Sequence, residues 1–165
     1  MRNNLKAIRV FILAQTIVTV LFFFIIGRAA HPFSYMLNTN DVSFYLFASS
    51  LLFLPVYIVL GFISAKVFRL ASHKAVVSTA ITGSIALTAL WLLLVVASNA
   101  DHSLVLLYAI LNAPAGWAYM PISNTAGYLN ACNLFFTVLP PVAFAFGIWL
   151  HQWIQSRTSD KKEFV

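Results

Sequence analysis

The chain has 165 residues, of which 61% are hydrophobic and 8% are charged. A soluble domain usually carries about 25% charged residues, so this composition excludes a soluble protein and indicates an integral membrane protein. The formal net charge of +6 does not indicate nucleic-acid binding, because the basic residues lie in short clusters between long apolar runs. Such clusters are typical of loops that stay on the cytoplasmic side of a membrane. The single cysteine, Cys132, excludes an internal disulfide.

The first predicted membrane span covers residues 10–27 and follows a basic N-terminal stretch. This charge layout resembles a secretory signal, but the apolar run is longer than the roughly 7–15 residues of a signal peptide. We therefore expect an uncleaved transmembrane helix. Gln15 is polar and lies inside this span. We expect it to form a hydrogen bond to another helix rather than to bind a solute.

The second and third predicted spans flank a basic stretch. A polar connection, 28–43, leads to the second span, 44–65, which Pro55 interrupts; the basic stretch 66–74 then precedes the third span, 75–97. The third span contains two rows of small residues at intervals of four: Ala75, Thr79 and Gly83, and Ser78, Thr82 and Ala86. Small residues let membrane helices approach closely, so this helix is predicted to be the packing centre.

The fourth predicted span covers residues 134–154 and is followed by a polar tail, 155–165. Pro140 and Pro141 lie in its body, and two tryptophans lie near its end, where indole rings favour the membrane interface. Together with Pro55, these prolines are candidates for helix kinks. They predict bends in the second and fourth helices.

Between the third and fourth spans lies a long connection, 98–133, which we call the cap. Its residues 103–121 are long enough for about one membrane crossing. Without that crossing, nine of the ten Lys and Arg residues lie on one side, and Arg28 alone lies on the other. If residues 103–121 do cross the membrane, the tail and its three basic residues lie outside. The positive-inside rule favours four spans, with both termini cytoplasmic and the cap outside the cell membrane.

These elements predict an all-α membrane protein with a single integral membrane domain, residues 1–165. Four transmembrane helices form a bundle, and the long extracytoplasmic cap precedes the last span. Within the cap, residues 104–111 are predicted to form a short interfacial or re-entrant helix, because this apolar run is shorter than a span. A short multi-pass chain with a basic tail fits the bacterial inner membrane best.

Two fragments of the chain resemble each other. Residues 55–61 and 141–147 both contain Pro-Val, four apolar residues and Gly. Paired helices interrupted by Pro and Gly in corresponding halves of a chain are a sign of transporter repeats. The alternative, which we favour, is that each proline kinks its own helix and neighbouring helices satisfy the freed carbonyl groups.

Nothing in the sequence predicts catalysis. No ionisable residue lies in the middle of a predicted span, and no HExxH motif or nucleotide-binding glycine loop occurs. We therefore expect neither an enzyme nor a cofactor, and no nucleic-acid partner. Four residues outside the spans are of types that bind metals, but they lack the spacing of a metal motif, so we expect solvated side chains: His31, Asp41, Asp101 and His102. His73 and His151 are predicted to lie at the membrane interface.

The cap carries aromatic and amide side chains within a region free of charge. Five of them are candidate contacts to a partner or ligand: Asn112, Trp117, Tyr119, Asn124 and Tyr128. The structural alternative is a cap folded over the outer ends of the bundle. We expect a non-enzymatic accessory protein that contacts the lipid bilayer and binds another membrane protein or a second copy as a homodimer. The alternative is a subunit of a small-solute transporter or channel built from a two-helix repeat.

Overall fold

The described part of the chain is helical. A computed structural model describes residues 2–33, 51, 53–70, 72–97, 107, 110–113 and 131–160. It contains four long helices and, within these residues, no strand: α1 (Arg2–Phe33), α2 (Leu54–Phe68), α3 (His73–Ala97) and α4 (Ala131–Asp160). This confirms the predicted helical class.

Three of these helices are long and apolar enough to cross a membrane. Their apolar stretches are Leu5–Phe24 in α1, His73–Leu94 in α3 and Leu134–Thr158 in α4. The described part of α2 is apolar but shorter. The composition and these helices together support a membrane protein that contacts lipid.

Local chemistry explains where α2 and α3 begin and end. Pro55 lies in the first turn of α2, where its missing N–H group removes no helical hydrogen bond. α2 ends at Phe68, and the next residue, Arg69, adopts the left-handed conformation with φ 52° and ψ 47°. α3 begins after Ser72, whose Oγ accepts a hydrogen bond from the Ala75 N–H at 3.2 Å. The chain therefore reverses within a few residues.

Pro140 and Pro141 are both buried inside α4, and the helix continues through them from Ala131 to Asp160. In the interior of a helix, a proline removes one backbone hydrogen bond and crowds the preceding turn. The bends that we expect at these residues and at Pro55 stay a prediction.

α1 and α2 are antiparallel. Gln15 contacts Tyr57, and further along α1 the ring of Phe22 contacts Phe53, which precedes α2. Residue numbers thus rise along α1 as they fall along α2. The N-terminal end of α1 consequently lies beside the C-terminal end of α2.

α2 and α4 are parallel. The ring centroids of Phe62 and His151 lie 5.1 Å apart, and Gln152 Nε2 donates a hydrogen bond to the Leu70 carbonyl at 3.2 Å. An antiparallel pair in contact at Phe62 and His151 brings Gln152 close to residues before Phe62, not to Leu70. The C-terminal ends of α2 and α4 therefore lie together.

α3 runs against α4. It starts just after Leu70, which contacts Gln152, and its Gly83 lies against the ring of Pro141, nearer the start of α4. The start of α1, the end of α2, the start of α3 and the end of α4 therefore share one end of the bundle. We call it the basic end, because it carries Lys6, Arg9 and the basic stretch 66–74. The cap leaves α3 and enters α4 at the opposite end.

The predicted packing centre is wrong. Only 17% of the most apolar 18 residues of α3 are buried, compared with 56% for α4, so α3 is peripheral. One small-residue row, which includes Thr79 and Gly83, is buried, whereas Thr82 and Ala86 of the other row are exposed. A small residue permits close packing but does not supply a neighbour, and α3 packs along one face only.

Candidate functional site

A group of polar atoms lies in the interior of the bundle, around Gln15. This residue is at the middle of the apolar stretch Leu5–Phe24, and its side chain is 8% exposed. The Tyr57 hydroxyl donates a hydrogen bond to Gln15 Oε1 at 2.7 Å. Gln15 Nε2 donates to the Ala113 carbonyl at 3.0 Å and to the Leu111 carbonyl at 3.3 Å. The predicted interhelical hydrogen bond of Gln15 is therefore confirmed.

Thr19, one turn further along α1, completes this group. Its Oγ1 donates a hydrogen bond to the Ala113 carbonyl at 3.2 Å and lies 3.4 Å from Gln15 Nε2. We call the side chains of Gln15, Thr19 and Tyr57, with the carbonyls of Leu111 and Ala113, the polar latch. A polar group without a partner is costly in a membrane interior, and the hydrogen bonds of the latch avoid that cost.

The latch holds a part of the cap inside the bundle. Residues 110–113 form a tight turn at the end of a helical stretch: Ile110 and Leu111 are helical, Asn112 and Ala113 follow them, and the Ala113 N–H donates to the Ile110 carbonyl at 3.3 Å. Asn112 and Ala113 are completely buried. Ile110 and Leu111 are 38% and 46% exposed, so only the second half of the turn lies inside the bundle. The turn contacts the middle of α1 through the latch. The interfacial and re-entrant alternatives for residues 104–111 both stay predictions.

Sequence reasoning identified Gln15 but missed its partners. The hydroxyl of Tyr57 is one signal in an apolar span, because a buried tyrosine hydroxyl usually finds a hydrogen-bond partner. Pro114 and Gly116, which follow the turn, are another, because they interrupt a helix and free backbone carbonyls. Neither signal says which residues meet. That information comes from the packing of α1, α2 and the turn.

Of the five candidate contact residues of the cap, the structure describes one. Asn112 is buried in the bundle and interacts within this chain. The other four lie outside the described residues: Trp117, Tyr119, Asn124 and Tyr128. The proposed role of all five in recognition stays a prediction.

α2 and α4 meet at two glycines. A Cβ added to Gly61 overlaps the Phe144 carbonyl, and a Cβ added to Gly147 overlaps the Ile58 carbonyl. The two backbones thus touch, which only residues without a side chain allow. We call these four residues the glycine crossing.

The glycine crossing joins the two fragments that resemble each other in sequence. When residues 55–61 are aligned with 141–147, Gly61 corresponds to Gly147 and Ile58 corresponds to Phe144. Each glycine therefore contacts the residue three positions before the other glycine. In two parallel helices, such reciprocal contacts are related by a local twofold rotation.

The described histidines occupy different environments. His151 is 6% exposed and packs against the ring of Phe62, so it lies between α2 and α4 and not at the surface. His73 is exposed at the basic end. In the described part of the chain, no group of three His, Cys, Asp or Glu side chains is close enough to hold a metal ion. Asp41, Asp101 and His102 lie outside it.

An exposed row of aromatic rings follows one face of α4 toward the basic end. The Phe146 and Trp149 rings stack at 5.3 Å, and the Trp149 and Trp153 rings stack at 6.4 Å. The Arg157 guanidinium carbon lies 4.2 Å from the centre of the Trp153 ring. Exposed tryptophans beside a cation are typical of the membrane interface. The position of both indoles at the headgroup level stays a prediction.

No protein-family model, curated protein or solved structure matches this chain. A functional assignment therefore depends on the polar latch, the glycine crossing and the surfaces of the helices.

Proposed function

We propose that the chain is a non-enzymatic accessory protein of the cell membrane, which binds another membrane protein through its cap. The observation that carries this proposal is the Ala113 carbonyl, which accepts hydrogen bonds from Gln15 and Thr19. The cap is thereby fastened to the interior of the bundle. Its candidate contact residues Trp117 and Tyr119 follow that attachment within a few positions.

A fastened cap favours recognition for a thermodynamic reason. Binding is weakened when a flexible surface must be ordered, and a surface that is already held in place avoids part of that loss. Aromatic side chains are enriched in the cores of protein interfaces, whereas charged ones are depleted there. Residues 114–130, which follow the turn, contain aromatic side chains and no charged ones.

The proposal includes a topology. Four spans cross the membrane, the turn at 110–113 enters and leaves at the end opposite the basic end, and both termini are cytoplasmic. Two observations support it: the helix directions bring both ends of the cap to one end of the bundle, and the basic residues gather at the other, as in cytoplasmic loops. A bacterial inner membrane is the expected location.

Cysteine labelling tests this topology in a Cys132→Ser background. We expect an impermeant reagent to label Thr125→Cys from outside and Ser159→Cys only after the membrane is opened. Ala113→Cys should remain unlabelled until the protein is denatured, because Ala113 is buried. Labelling of Ser159→Cys from outside contradicts the four-span topology.

Photocrosslinking tests partner binding in the membrane where the protein naturally occurs. A photoreactive amino acid at Trp117 or Tyr119 should give a discrete crosslinked protein, whereas one at the exposed, lipid-facing Ile12 should not. Gln15→Leu, which removes the latch amide, should weaken the cap crosslinks while the protein remains in the membrane. Identical products from Ile12 and from the cap positions contradict a cap-specific partner.

The glycine crossing supports a second candidate function, a subunit of a small-solute transporter or channel. Transporters with parallel repeats have halves related by an axis along the membrane normal, and reciprocal contacts between α2 and α4 fit that relation. Because the backbones of α2 and α4 touch at the crossing, no solute can pass between them, and a solute pathway requires a dimer. Purified protein in liposomes should then speed the flux of small polar solutes; flux equal to that of protein-free liposomes contradicts this candidate.

A further inference from the structure

The outer face of α3 carries a cavity of about 420 Å³ near the basic end. The residues that line it in the described part of the chain all belong to α3: His73, Lys74, Val77, Ser78, Ile81 and Thr82. The cavity is separate from the polar latch and from the glycine crossing. It is open to the surroundings of the bundle, so a membrane component can enter it from the side.

The cavity is polar at one end and apolar at the other, as a phospholipid is from its headgroup to its acyl chains. The cavity begins with the cationic and imidazole side chains of Lys74 and His73 and continues past the Ser78 hydroxyl to the apolar side chains of Val77 and Ile81. From His73 to Thr82 the helix rises by about 14 Å at 1.5 Å per residue. This distance is close to half of the roughly 30 Å hydrocarbon thickness of a bilayer.

The basic residues near the cavity favour an anionic lipid. The basic stretch 66–74 contains Lys66, Arg69 and Lys74 and no carboxylate. Val77 and Ile81 are 41% and 55% exposed, so an acyl chain can cover apolar surface there. Basic residues at a membrane surface attract anionic headgroups.

We propose that this cavity binds one anionic phospholipid. The phosphate lies against Lys74 and His73, the Ser78 hydroxyl donates to an oxygen of the headgroup or glycerol ester, and an acyl chain follows Val77 and Ile81. None of the residues named for this site belongs to the cap, so the proposal does not rest on the proposed function. It gives the peripheral helix α3 a bound lipid along the face that the described helices leave open.

Native mass spectrometry of the full chain tests this proposal, after extraction from bilayers with equal amounts of phosphatidylglycerol and phosphatidylcholine. We expect one phosphatidylglycerol to remain bound in preference to phosphatidylcholine. Lys74→Gln should reduce its retention about fivefold, as expected for one basic residue near an anionic surface. The control is Lys6→Gln, which removes an exposed charge at the same end of the bundle but outside the cavity, and should leave retention unchanged.

A second pair of variants tests the apolar half of the cavity without altering charge. Ile81→Trp fills the cavity and should also reduce phosphatidylglycerol retention. Ile85→Trp adds the same ring one turn further along the exposed face of α3, outside the cavity, and should not. Equal effects of Lys74→Gln and Lys6→Gln overturn the proposal, because they indicate general surface attraction. Equal retention of both lipids, or a dimer that Ile81→Trp dissociates, also overturns it.

Discussion

The glycine crossing and the polar latch both fasten α2 to a neighbour, but they do so by opposite means. At the crossing, Gly61 and Gly147 allow contact because no side chain separates the backbones of α2 and α4. At the latch, Tyr57 holds α2 to α1 because its hydroxyl donates a hydrogen bond to the buried amide of Gln15. A substitution that adds one carbon therefore disrupts the first contact, whereas removal of one oxygen disrupts the second. Steric exclusion and polar pairing act within the same short helix.

The largest effect is expected at the crossing. Gly147→Ala should lower the free energy of unfolding by about 3 kcal/mol, because its Cβ overlaps a backbone carbonyl that cannot turn aside. Gly61→Ala should act similarly. Unfolding by sodium dodecyl sulfate in mixed micelles measures both changes.

Gly83→Ala is the matched control, because its Cβ comes within 2.8 Å of the Pro141 side chain rather than of a backbone carbonyl. We expect a loss of about 1 kcal/mol, at the lower end of the cost of overpacking. A larger loss for Gly83→Ala than for Gly147→Ala contradicts the view that direct backbone contact makes the crossing the stricter site.

The latch should give an intermediate effect. Tyr57→Phe should cost about 1 kcal/mol, because it leaves Gln15 Oε1 without the hydroxyl that donates to it. Gln15→Leu removes the amide altogether. Because both changes act on one hydrogen bond, the double variant should cost less than the sum of the single variants in a double-mutant cycle. Additive losses show that the hydroxyl and the amide do not stabilise the protein through each other.

Thr19→Val should have a smaller effect, about 0.5 kcal/mol, because the Ala113 carbonyl keeps its hydrogen bond from Gln15. The same variant should raise the labelling rate of Ala113→Cys, since the turn loses one of its attachments. An unchanged labelling rate indicates that Gln15 alone holds the turn.

The smallest effect is expected on the outer face of α3. Ile85 is 63% exposed, so Ile85→Ala should change the free energy of unfolding by less than about 0.5 kcal/mol. The unfolding experiment used for the crossing measures this change. A loss of more than 1 kcal/mol shows that another segment or a second copy covers this face.

Particular residues show how far the sequence predicted the site. Gln15 stood out because it is a polar residue inside an apolar span, and the tryptophans near the end of α4 stood out because indoles favour the interface. Leu111 and Ala113 gave no such signal, since they contribute backbone carbonyls that every residue possesses. The resemblance between 55–61 and 141–147 was visible, but nothing in it required Gly61 and Gly147 to meet.

The small-residue rows of α3 show why the packing centre was predicted wrongly. Both rows permit close approach of a helix, yet only the row with Thr79 and Gly83 is buried. Which row is used depends on the positions of α1 and α4. Those positions follow from contacts that involve residues far apart in the chain.

The sequence by itself determined the helical class and the membrane environment, because the hydrophobic fraction and the length of each apolar run are local properties. It also determined the clusters of basic residues that favour one orientation. Only the tertiary structure decided that α2 and α4 touch through their backbones, that Asn112 and Ala113 lie inside the bundle, and that α3 is peripheral. These features depend on which backbones approach and which polar atoms meet, and periodicity along one helix does not specify its neighbour.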